Sequence, residues 1–374
     1  MKNMSRWLLT GFFFSFSLFI LPVFADENWQ ALCQTSKCYA VVDAGSSGTR
    51  FYIYSHDYQT LWSKKITPGL AQVSPDKVSN YLQQLVPNNA LQAIPTYIYG
   101  TAGMRLISED EQFQRYAAVK QWFSQKSGWL IQDVRTILGK EEGFFAWLAA
   151  NQNENVYKGV LEIGGASYQV NIPVSQEIAM RLSPEDITRF SNRGQTVYVW
   201  SKSYLGLGIN EVEKKVALET TCYSQNYPLS NGSLAQGDIS QCIQTLESHP
   251  ELTLLQQFTE AQSILKNQQA LNWVTLGAIK FSISTPPYRF NEHSFNWRSV
   301  RAIADTDSCH ENWGSLIQKY TDPFLYRQCL AASYFYASIV DGLGVSEDAT
   351  MTYPNNQQNM DWTVGALLYQ QTKV

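Results

Sequence analysis

The sequence has few charged side chains and no excess of basic ones. Only 16% of its 374 residues are Asp, Glu, Lys or Arg, and the formal net charge at pH 7 is -4. A nucleic-acid backbone or an anionic membrane attracts strongly basic surfaces, so DNA and RNA polymers are unlikely partners by this balance. Hydrophobic residues make up 44% of the chain, which is enough for a large core in two domains.

Several catalytic signatures are also missing. There is no Gly-x-x-x-x-Gly-Lys-Ser/Thr loop, and no Gly-x-Gly-x-x-Gly follows a strand-like run. The histidines are His56, His249, His293 and His310, and none stands in a recognisable Ser-His-Asp setting. Walker-type, dinucleotide-binding and serine-hydrolase sites are therefore disfavoured, and other groups must activate the attacking oxygen.

The first segment has the pattern of an export signal. Lys2 and Arg6 precede an apolar run over 7–24, and the small residue Ala25 ends it. We expect residues 1–25 to be a cleaved signal peptide; an uncleaved anchor is the alternative, because the run approaches membrane-spanning length. No later stretch is apolar enough to span a bilayer, so the sequence predicts an exported, periplasmic or secreted protein without a stable membrane span.

Six cysteines follow that segment. An even count in an exported chain favours disulfides, although six cysteines allow fifteen pairings. A zinc site is the alternative, but the spacings lack the CxxC pattern and only His310 adjoins a cysteine. We favour three local pairs, which are Cys33 with Cys38, Cys222 with Cys242, and Cys309 with Cys329.

The chain contains an internal near-repeat. The runs 41–54 and 160–172 each hold a β-rich segment that ends in an acid, then a turn of small residues, then a second strand. The acids are Asp43 and Glu162. Two copies predict two similar lobes.

The remaining chain alternates strand and helix patterns, which predicts an α/β fold. We expect a strand at 95–99, helices at 141–151, around 252–265 and at 362–370, and an amphipathic helix with apolar positions Phe113, Tyr116, Trp122 and Phe123. The predicted division is a first lobe over 26–157, completed by about 349–374, and a second lobe over 158–348.

The small-residue turns have the composition of phosphate-binding loops. A strand that ends in a carboxylate and turns through Gly and Ser presents backbone N–H groups to an anion. Such a turn also joins ordinary hairpins, so the prediction depends on its two copies. Opposed turns can grip a phosphate chain from both sides while Asp43 and Glu162 hold a divalent cation, Mg or Ca, directly or through water.

Two further segments carry candidate polar groups. In the turn 99–105, Thr101 offers a hydroxyl, and Arg105 can meet phosphate or pair with a neighbouring loop. Glu141 and Glu142 open an amphipathic helix. Carboxylates are common there simply because the helix dipole favours them.

Five segments of the chain resemble, in order, the apyrase-conserved regions of the ecto-nucleoside triphosphate diphosphohydrolases. They are 43–50, 101–105, 139–147, 164–167 and 204–208, and the segment 361–365 resembles the closing part of that family. The likeness covers nearly all of the mature chain and is most similar to the soluble bacterial branch. It implies a two-lobed, actin-like (ribonuclease H-like) fold with the nucleotide in the interlobe cleft.

The resemblance also implies roles for individual residues. Glu142 would activate the attacking water, Ser167 and Gln169 would place it, and Thr101 would join the cation and water network. Phosphate contacts would come from Ser46, Ser47, Gly48, Thr49, Arg50, Gly164, Gly165 and Ala166. The family has aspartate where this chain has Glu162, whose extra methylene advances the carboxylate by about 1.5 Å.

Three aromatic residues are candidates to stack on the nucleobase: Phe281, Phe324 and Tyr326. Aromatics in such positions are more often part of a core. A flat clamp with few hydrogen bonds would tolerate several bases.

The expected activity is cation-dependent hydrolysis of terminal phosphates from nucleoside tri- or diphosphates by a monomer, without a phosphoenzyme. One alternative is an exopolyphosphatase-like phosphatase of the same superfamily. Another is a nucleotide-gated binding protein in which turnover is incidental. A sugar kinase is less consistent with export, because exported compartments offer little ATP as a donor.

Overall fold

The computed structural model describes residues 28–87, 90–192, 194–290, 293–355 and 360–372. The predicted signal peptide, 1–25, lies outside these ranges. Within them, no helix combines the length and apolarity needed to cross a membrane.

The first part of the chain forms a five-stranded sheet with strand order β3-β2-β1-β4-β5. The strands are β1 (Tyr39–Ala44), β2 (Thr49–Tyr54), β3 (Thr60–Ile66), β4 (Ile94–Gly100) and β5 (Trp129–Thr136). β1 pairs antiparallel with β2 and parallel with β4, and β4 pairs parallel with β5. The helices of this part are α1 (Asn28–Thr35), α2 (Val78–Leu85), α3 (Ala102–Arg105), α4 (Glu109–Ser124) and α5 (Gly139–Asn151).

The amphipathic helix expected after β4 is α4. Ser108 caps it by accepting a hydrogen bond from the Glu111 amide, and the Glu111 side chain returns a bond to the Ser108 amide. Tyr116 and Trp122 are buried as predicted. Phe113, another of the apolar positions, is 73% exposed, so it lies off the buried face. At about 100° per residue, Phe113 lies roughly 120° from the centre of that face.

The second part forms a seven-stranded sheet with strand order β11-β12-β10-β6-β7-β9-β8. Its strands are β6 (Gly159–Ile163), β7 (Ser167–Val174), β8 (Ile187–Asn192), β9 (Gln195–Leu205), β10 (Trp273–Gly277), β11 (Ser294–Phe295) and β12 (Met351–Thr352). The helices of this part are α6 (Gln176–Ala179), α7 (Ile209–Lys215), α8 (Ile239–Ser248), α9 (Leu254–Gln257), α10 (Thr259–Lys266), α11 (Ala278–Ser284), α12 (Trp297–Ala304), α13 (Trp313–Lys319) and α14 (Gln328–Tyr336). A last helix, α15 (Trp362–Gln371), follows.

The sequence near-repeat corresponds to the same three-strand unit in both sheets. β6 pairs antiparallel with β7 and parallel with β10, as β1 pairs with β2 and β4. In register, Asp43 lies opposite Arg50, and Glu162 lies opposite Gln169. Each acid is therefore one residue from the end of its strand, beside the hairpin turn.

The last helix, α15, packs against α5. The Tyr369 ring lies edge-on to Phe144 and tilted against Phe145, with centroids 5.7 and 5.6 Å away. The approach is so close that a methyl group added to Gly365 would lie 1.8 Å from the Phe145 carbonyl oxygen. The return of the chain end to α5 agrees with the predicted helix, while the boundaries of the two lobes stay a prediction.

All three predicted disulfides are present. Cys33 bonds to Cys38, Cys222 to Cys242, and Cys309 to Cys329. Their cysteines are buried, so each bond joins segments of the core.

Candidate active site

The two hairpin turns face each other at close range. A methyl group added to Gly165 of the second turn would lie 2.6 Å from Ser46 Oγ of the first. One added to Gly103, beside the third turn, would lie 2.8 Å from Ser46 Cα. Gly165 does not have positive φ. Close approach between the turns, and not a left-handed backbone, therefore accounts for this glycine.

Two adjoining cavities lie along the turns. The outer cavity, of about 940 Å³, is lined by Ser46, Ser47, Gly164 and Gly165 together with basic and aromatic side chains. The inner cavity, of about 550 Å³, is lined by charged side chains that include Asp43 and Glu162. Arg50 and Gly277 line both cavities, so the two meet there.

The two acids of the near-repeat share the inner cavity. Asp43 Oδ1 and Glu162 Oε2 are buried and have no hydrogen-bond partner. Burial raises the pKa of both carboxyls well above their usual range, and repulsion from Asp361 and Glu142 raises it further. Leaving two such oxygens unpartnered is costly unless a cation or proton joins them.

The donor set of the inner cavity fits a divalent cation. Among the described residues, no group of three or more His, Cys, Asp and Glu side chains is arranged to hold a metal. Mg²⁺, however, commonly takes only one or two protein carboxylates and fills its shell with water and substrate phosphate. Asp43 and Glu162, with their unpartnered oxygens, provide that minimum.

Glu142 lies at the centre of a buried hydrogen-bond network. Its Oε2 accepts from Arg105 Nη2 at 2.8 Å and from Gln169 Nε2 at 3.3 Å. Ser167 Oγ contacts Arg105 Nη2 at 3.2 Å and Gln169 Nε2 at 2.6 Å. The structure thus brings together three predicted residues, Glu142, Ser167 and Gln169, which lie on α5 and β7.

The groups around Glu142 have opposing effects on its pKa. Burial raises the pKa of Glu142, the Arg105 guanidinium opposes that rise, and Asp361 adds to it. The net direction is upward. A carboxylate with a raised pKa is a better proton acceptor than an exposed one.

The neighbouring acid, Glu141, has a structural role. Its carboxylate accepts two hydrogen bonds from Arg135, at 2.8 and 2.9 Å, and one from the Leu138 amide. This bidentate pair and the bond to the residue before α5 fix the start of the helix. The paired glutamates therefore separate into one that caps the helix and one that joins the buried network of Arg105 and Gln169.

Other predicted phosphate contacts differ in their exposure to the cleft. Arg50 lines both cavities and donates to the Tyr52 hydroxyl at 2.7 Å. Thr49 is fully buried, and its hydroxyl accepts from the Leu70 amide, so its side chain holds the loop after β3. Ala166 is also buried, with its carbonyl accepting from the Gly206 amide.

Thr101 lies where the third turn meets the first sheet. Its amide donates to the Ala44 carbonyl at 3.2 Å, and its own carbonyl accepts from the Met104 and Arg105 amides. The residue is buried at the N-terminus of α3. It is thereby held beside the β1 end that carries Asp43.

Two of the three aromatic candidates reach the outer cavity. Phe281 and Phe324 both line it, but their rings meet edge to face, with centroids 5.4 Å apart at 88°. The Arg327 guanidinium covers the Phe324 ring at 4.3 Å. No parallel slot lies between these two rings, so a base would stack on a single ring face.

Tyr326 is engaged elsewhere. Its ring stacks on Tyr227, with centroids 6.0 Å apart, and its hydroxyl donates to Glu213 Oε1 at 2.9 Å. It is not among the side chains that line the outer cavity.

The inner cavity also contains charged residues that were not among the predicted site residues. Asp361 lines it, accepts a hydrogen bond from the Tyr52 hydroxyl at 2.9 Å, and caps α15 through the Thr363 amide. Lys280 lines it from α11. Arg105 was recognised only as able to meet phosphate or form an ion pair, and the structure shows the ion pair. No local pattern in the sequence marks Lys280 as a site residue, because its place in the wall depends on how α11 packs.

Comparison with known sequences identifies relatives. The model of the GDA1/CD39 (nucleoside phosphatase) family matches residues 30–263. The chain is 26% identical over 403 aligned residues to probable apyrase 5 of Arabidopsis thaliana, covering 88% of this chain and 81% of that protein. It is 29% identical over 206 residues to ectonucleoside triphosphate diphosphohydrolase 5 of Gallus gallus, covering 47% and 48% of the two chains.

Comparison with solved structures supports the fold. A nucleoside triphosphate hydrolase from Neospora caninum superposes with a TM-score of 0.64 at 14% identity, covering 92% of this chain and 95% of that one. A Ppx/GppA family protein from Aquifex aeolicus gives 0.54 at 14% identity, with 90% and 98% covered. At such identities the likeness concerns the fold alone, and it confirms the predicted α/β, two-lobed, actin-like class.

Proposed function

Because this chain belongs to the GDA1/CD39 (nucleoside phosphatase) family, we propose that it hydrolyses the terminal phosphates of nucleoside tri- and diphosphates. The attacking water is activated by Glu142, and no phosphoenzyme forms. One observation supports this most directly. The two small-residue turns are so close that a methyl group on Gly165 would lie 2.6 Å from Ser46 Oγ, and the cavity beside them is lined by Asp43 and Glu162, each with an unpartnered carboxylate oxygen.

Substrate binding divides between the cavities. The outer cavity receives the nucleoside, with Phe281 or Phe324 as a stacking surface. Backbone amides of the turns at Ser46, Ser47 and Gly165 bind the phosphate oxygens. Arg50 and Lys65, which also line this cavity, supply positive charge.

The reaction is a single displacement. Ser167 and Gln169 hold a water molecule, and Glu142 accepts its proton as the oxygen bonds to the terminal phosphorus. The bond from that phosphorus to the bridging oxygen breaks, and the bridging oxygen stays with the nucleotide. The transition state is loose and carries spread negative charge, so fixed donors and positioning contribute most of the rate.

Asp43 and Glu162 hold a divalent cation, Mg or Ca, directly or through water. When bound, the cation neutralises phosphate charge and orients the terminal group. Because Glu162 is longer than the family's aspartate, we expect the metal preference to differ from that of aspartate-containing relatives.

We also propose that the protein works as a monomer in an exported compartment, after removal of 1–25. Three disulfides among the described residues support export, because such bonds persist in oxidising compartments. The likeness to the soluble bacterial branch stays a prediction.

The test is a Glu142→Gln variant with Glu141→Gln as its matched control. Loss of a general base lowers rates by roughly 10²- to 10⁴-fold, so kcat for phosphate release from Glu142→Gln should fall in that range. A non-hydrolysable nucleotide should still bind. Glu141→Gln, which weakens the Arg135 pair and the bond to the Leu138 amide, should retain kcat within about threefold. Unchanged turnover in Glu142→Gln would overturn the mechanism.

A substrate panel tests the reaction class. Release of inorganic phosphate from nucleoside tri- and diphosphates should exceed release from polyphosphate and should stop when a chelator is added. Faster release from polyphosphate would favour the exopolyphosphatase alternative. Nucleotide binding without release would favour a binding protein.

A further inference from the structure

The wall of the inner cavity has an unusual charge balance. Its charged side chains are three acids, Asp43, Glu162 and Asp361, and two bases, Arg50 and Lys280. Alone they carry one net negative charge. With a divalent cation between the acids, the wall carries one net positive charge, and without Lys280 it would be neutral.

Lys280 is the base of this wall that has no assigned partner in the mechanism. It lies in the first turn of α11, which begins directly after β10. Within the described ranges, no carboxylate oxygen lies within 4.0 Å of its ammonium group, and Asp361 attracts it only from a greater distance. Arg50, in contrast, donates to the Tyr52 hydroxyl. A half-buried cation without a close counter-ion favours an anion beside it.

In the proposed function, the terminal phosphate lies where the two cavities meet. Arg50 and Gly277 form that junction. While the nucleoside part of the product occupies the outer cavity, the released phosphate can enter the inner cavity, which adjoins it. At about 550 Å³ and partly open to solvent, this space admits a hydrated anion.

We infer that the inner cavity is a binding site for inorganic phosphate, the product of hydrolysis, and that Lys280 is its anion-binding residue. The inference rests on the proposed function for the identity of the product. It assigns Lys280 to product retention and inhibition rather than to bond cleavage.

The expected change in phosphate affinity follows from the loss of one charge-assisted hydrogen bond from Lys280 to phosphate. Lys280→Met keeps most of the side-chain volume and removes the charge. Such a bond to a charged group corresponds to a change in affinity of about tenfold or more. Lys280→Arg restores the charge and should restore most of the affinity.

The direct measurement is calorimetric titration of inorganic phosphate into the full-length protein with Mg²⁺ and no nucleotide. Phosphate should bind Lys280→Met about tenfold more weakly than the unchanged protein. Lys266→Met, which removes an exposed lysine at the end of α10, should bind as the unchanged protein does. Retained binding of a non-hydrolysable nucleotide shows that each variant is folded.

A kinetic measurement complements the titration. The inhibition constant of phosphate for nucleotide hydrolysis should rise in Lys280→Met by the same factor. Equal phosphate affinity in Lys280→Met and Lys266→Met would overturn the inference even if hydrolysis is normal. If the chain releases no phosphate from any nucleotide, the proposed function fails, whereas the titration still decides whether the anion site exists.

Discussion

At the residue scale, two similar ion pairs stand side by side at the start of α5. Arg105 contacts Glu142 and Arg135 contacts Glu141, each with a shortest N–O distance of 2.8 Å. The first pair is the more buried of the two. Its arginine holds the glutamate in place and, by its charge, opposes the rise in the pKa of Glu142 that burial causes.

We predict that Arg105→Met shifts the acid limb of the kcat/KM profile to higher pH. Glu142 works as a base only when deprotonated, and Arg105 opposes the rise of its pKa. Without the guanidinium that pKa rises further, so more Glu142 is protonated at a given pH. Loss of one charge-assisted hydrogen bond should also lower kcat/KM about tenfold near neutral pH. The pH dependence of phosphate release measures both effects.

Arg135→Met is the matched control for this shift. It removes the ion pair of Glu141 and should lower stability without moving the acid limb. If the two variants had the same pH profile, Arg105 would be a purely structural residue.

We predict that Gly165→Ala impairs hydrolysis through the contact between the turns. The new methyl would lie 2.6 Å from Ser46 Oγ and 2.9 Å from Asn210 Nδ2, so the turns must separate. A displacement of about 1 Å near reacting groups can cost about 100-fold in rate. Steady-state kinetics should show that loss, while Gly314→Ala on α13 should leave kcat/KM unchanged. Normal activity in Gly165→Ala would mean that the turns tolerate separation.

At the element scale, the local units were predictable, whereas their contacts were not. Each run that contains β1 and β2, or β6 and β7, is contiguous in sequence, so alternation and turn composition place Asp43 and Glu162 beside a hairpin turn. The apolar pattern of α4 did not show which of its residues are buried, and packing leaves Phe113 exposed. The edge-to-face arrangement of Phe281 and Phe324 depends on packing between separate segments, which no local pattern encodes.

We predict that Gly365→Ala destabilises the protein through the interface of α15 with α5. A methyl 1.8 Å from the Phe145 carbonyl oxygen forces two backbones apart, and overpacking of this kind costs about 1–3 kcal/mol or more. Thermal unfolding should show a lower Tm. Thr372→Ala, at the exposed end of α15, should change the free energy of unfolding by less than about 0.5 kcal/mol. An unchanged Tm in Gly365→Ala would show that the helices do not pack this closely.

At the scale of the whole molecule, the disulfides should contribute according to the length of chain they close. Cys222 and Cys242 are 20 residues apart, and Cys33 and Cys38 are 5 apart. Chain entropy then predicts a loss of about 3 kcal/mol for Cys222→Ala with Cys242→Ala, against about 2 kcal/mol for the shorter pair. Denaturant unfolding of both double variants measures this order, and the reverse order would contradict it. Free thiols in the exported protein, detected by mass spectrometry, would count against the proposed export.

The whole-molecule arrangement explains which site residues the sequence left out. Tyr52 and Asp361 are 309 positions apart yet share a hydrogen bond of 2.9 Å in the inner cavity. The spacing of residues within each motif says nothing about how close two separate motifs lie in space. The likeness to a known family supplied the fold that brings the segments together, but roles for Asp361 and Lys280 required the assembled cavity.

The bonds of α15 with the first sheet join residues 271 to 332 positions apart. A polypeptide still emerging from the ribosome therefore lacks the partner that α15 provides for α5, which carries Glu142, until about residue 371 has been made. The surroundings of the proposed base would thus be completed late in synthesis, after both sheets.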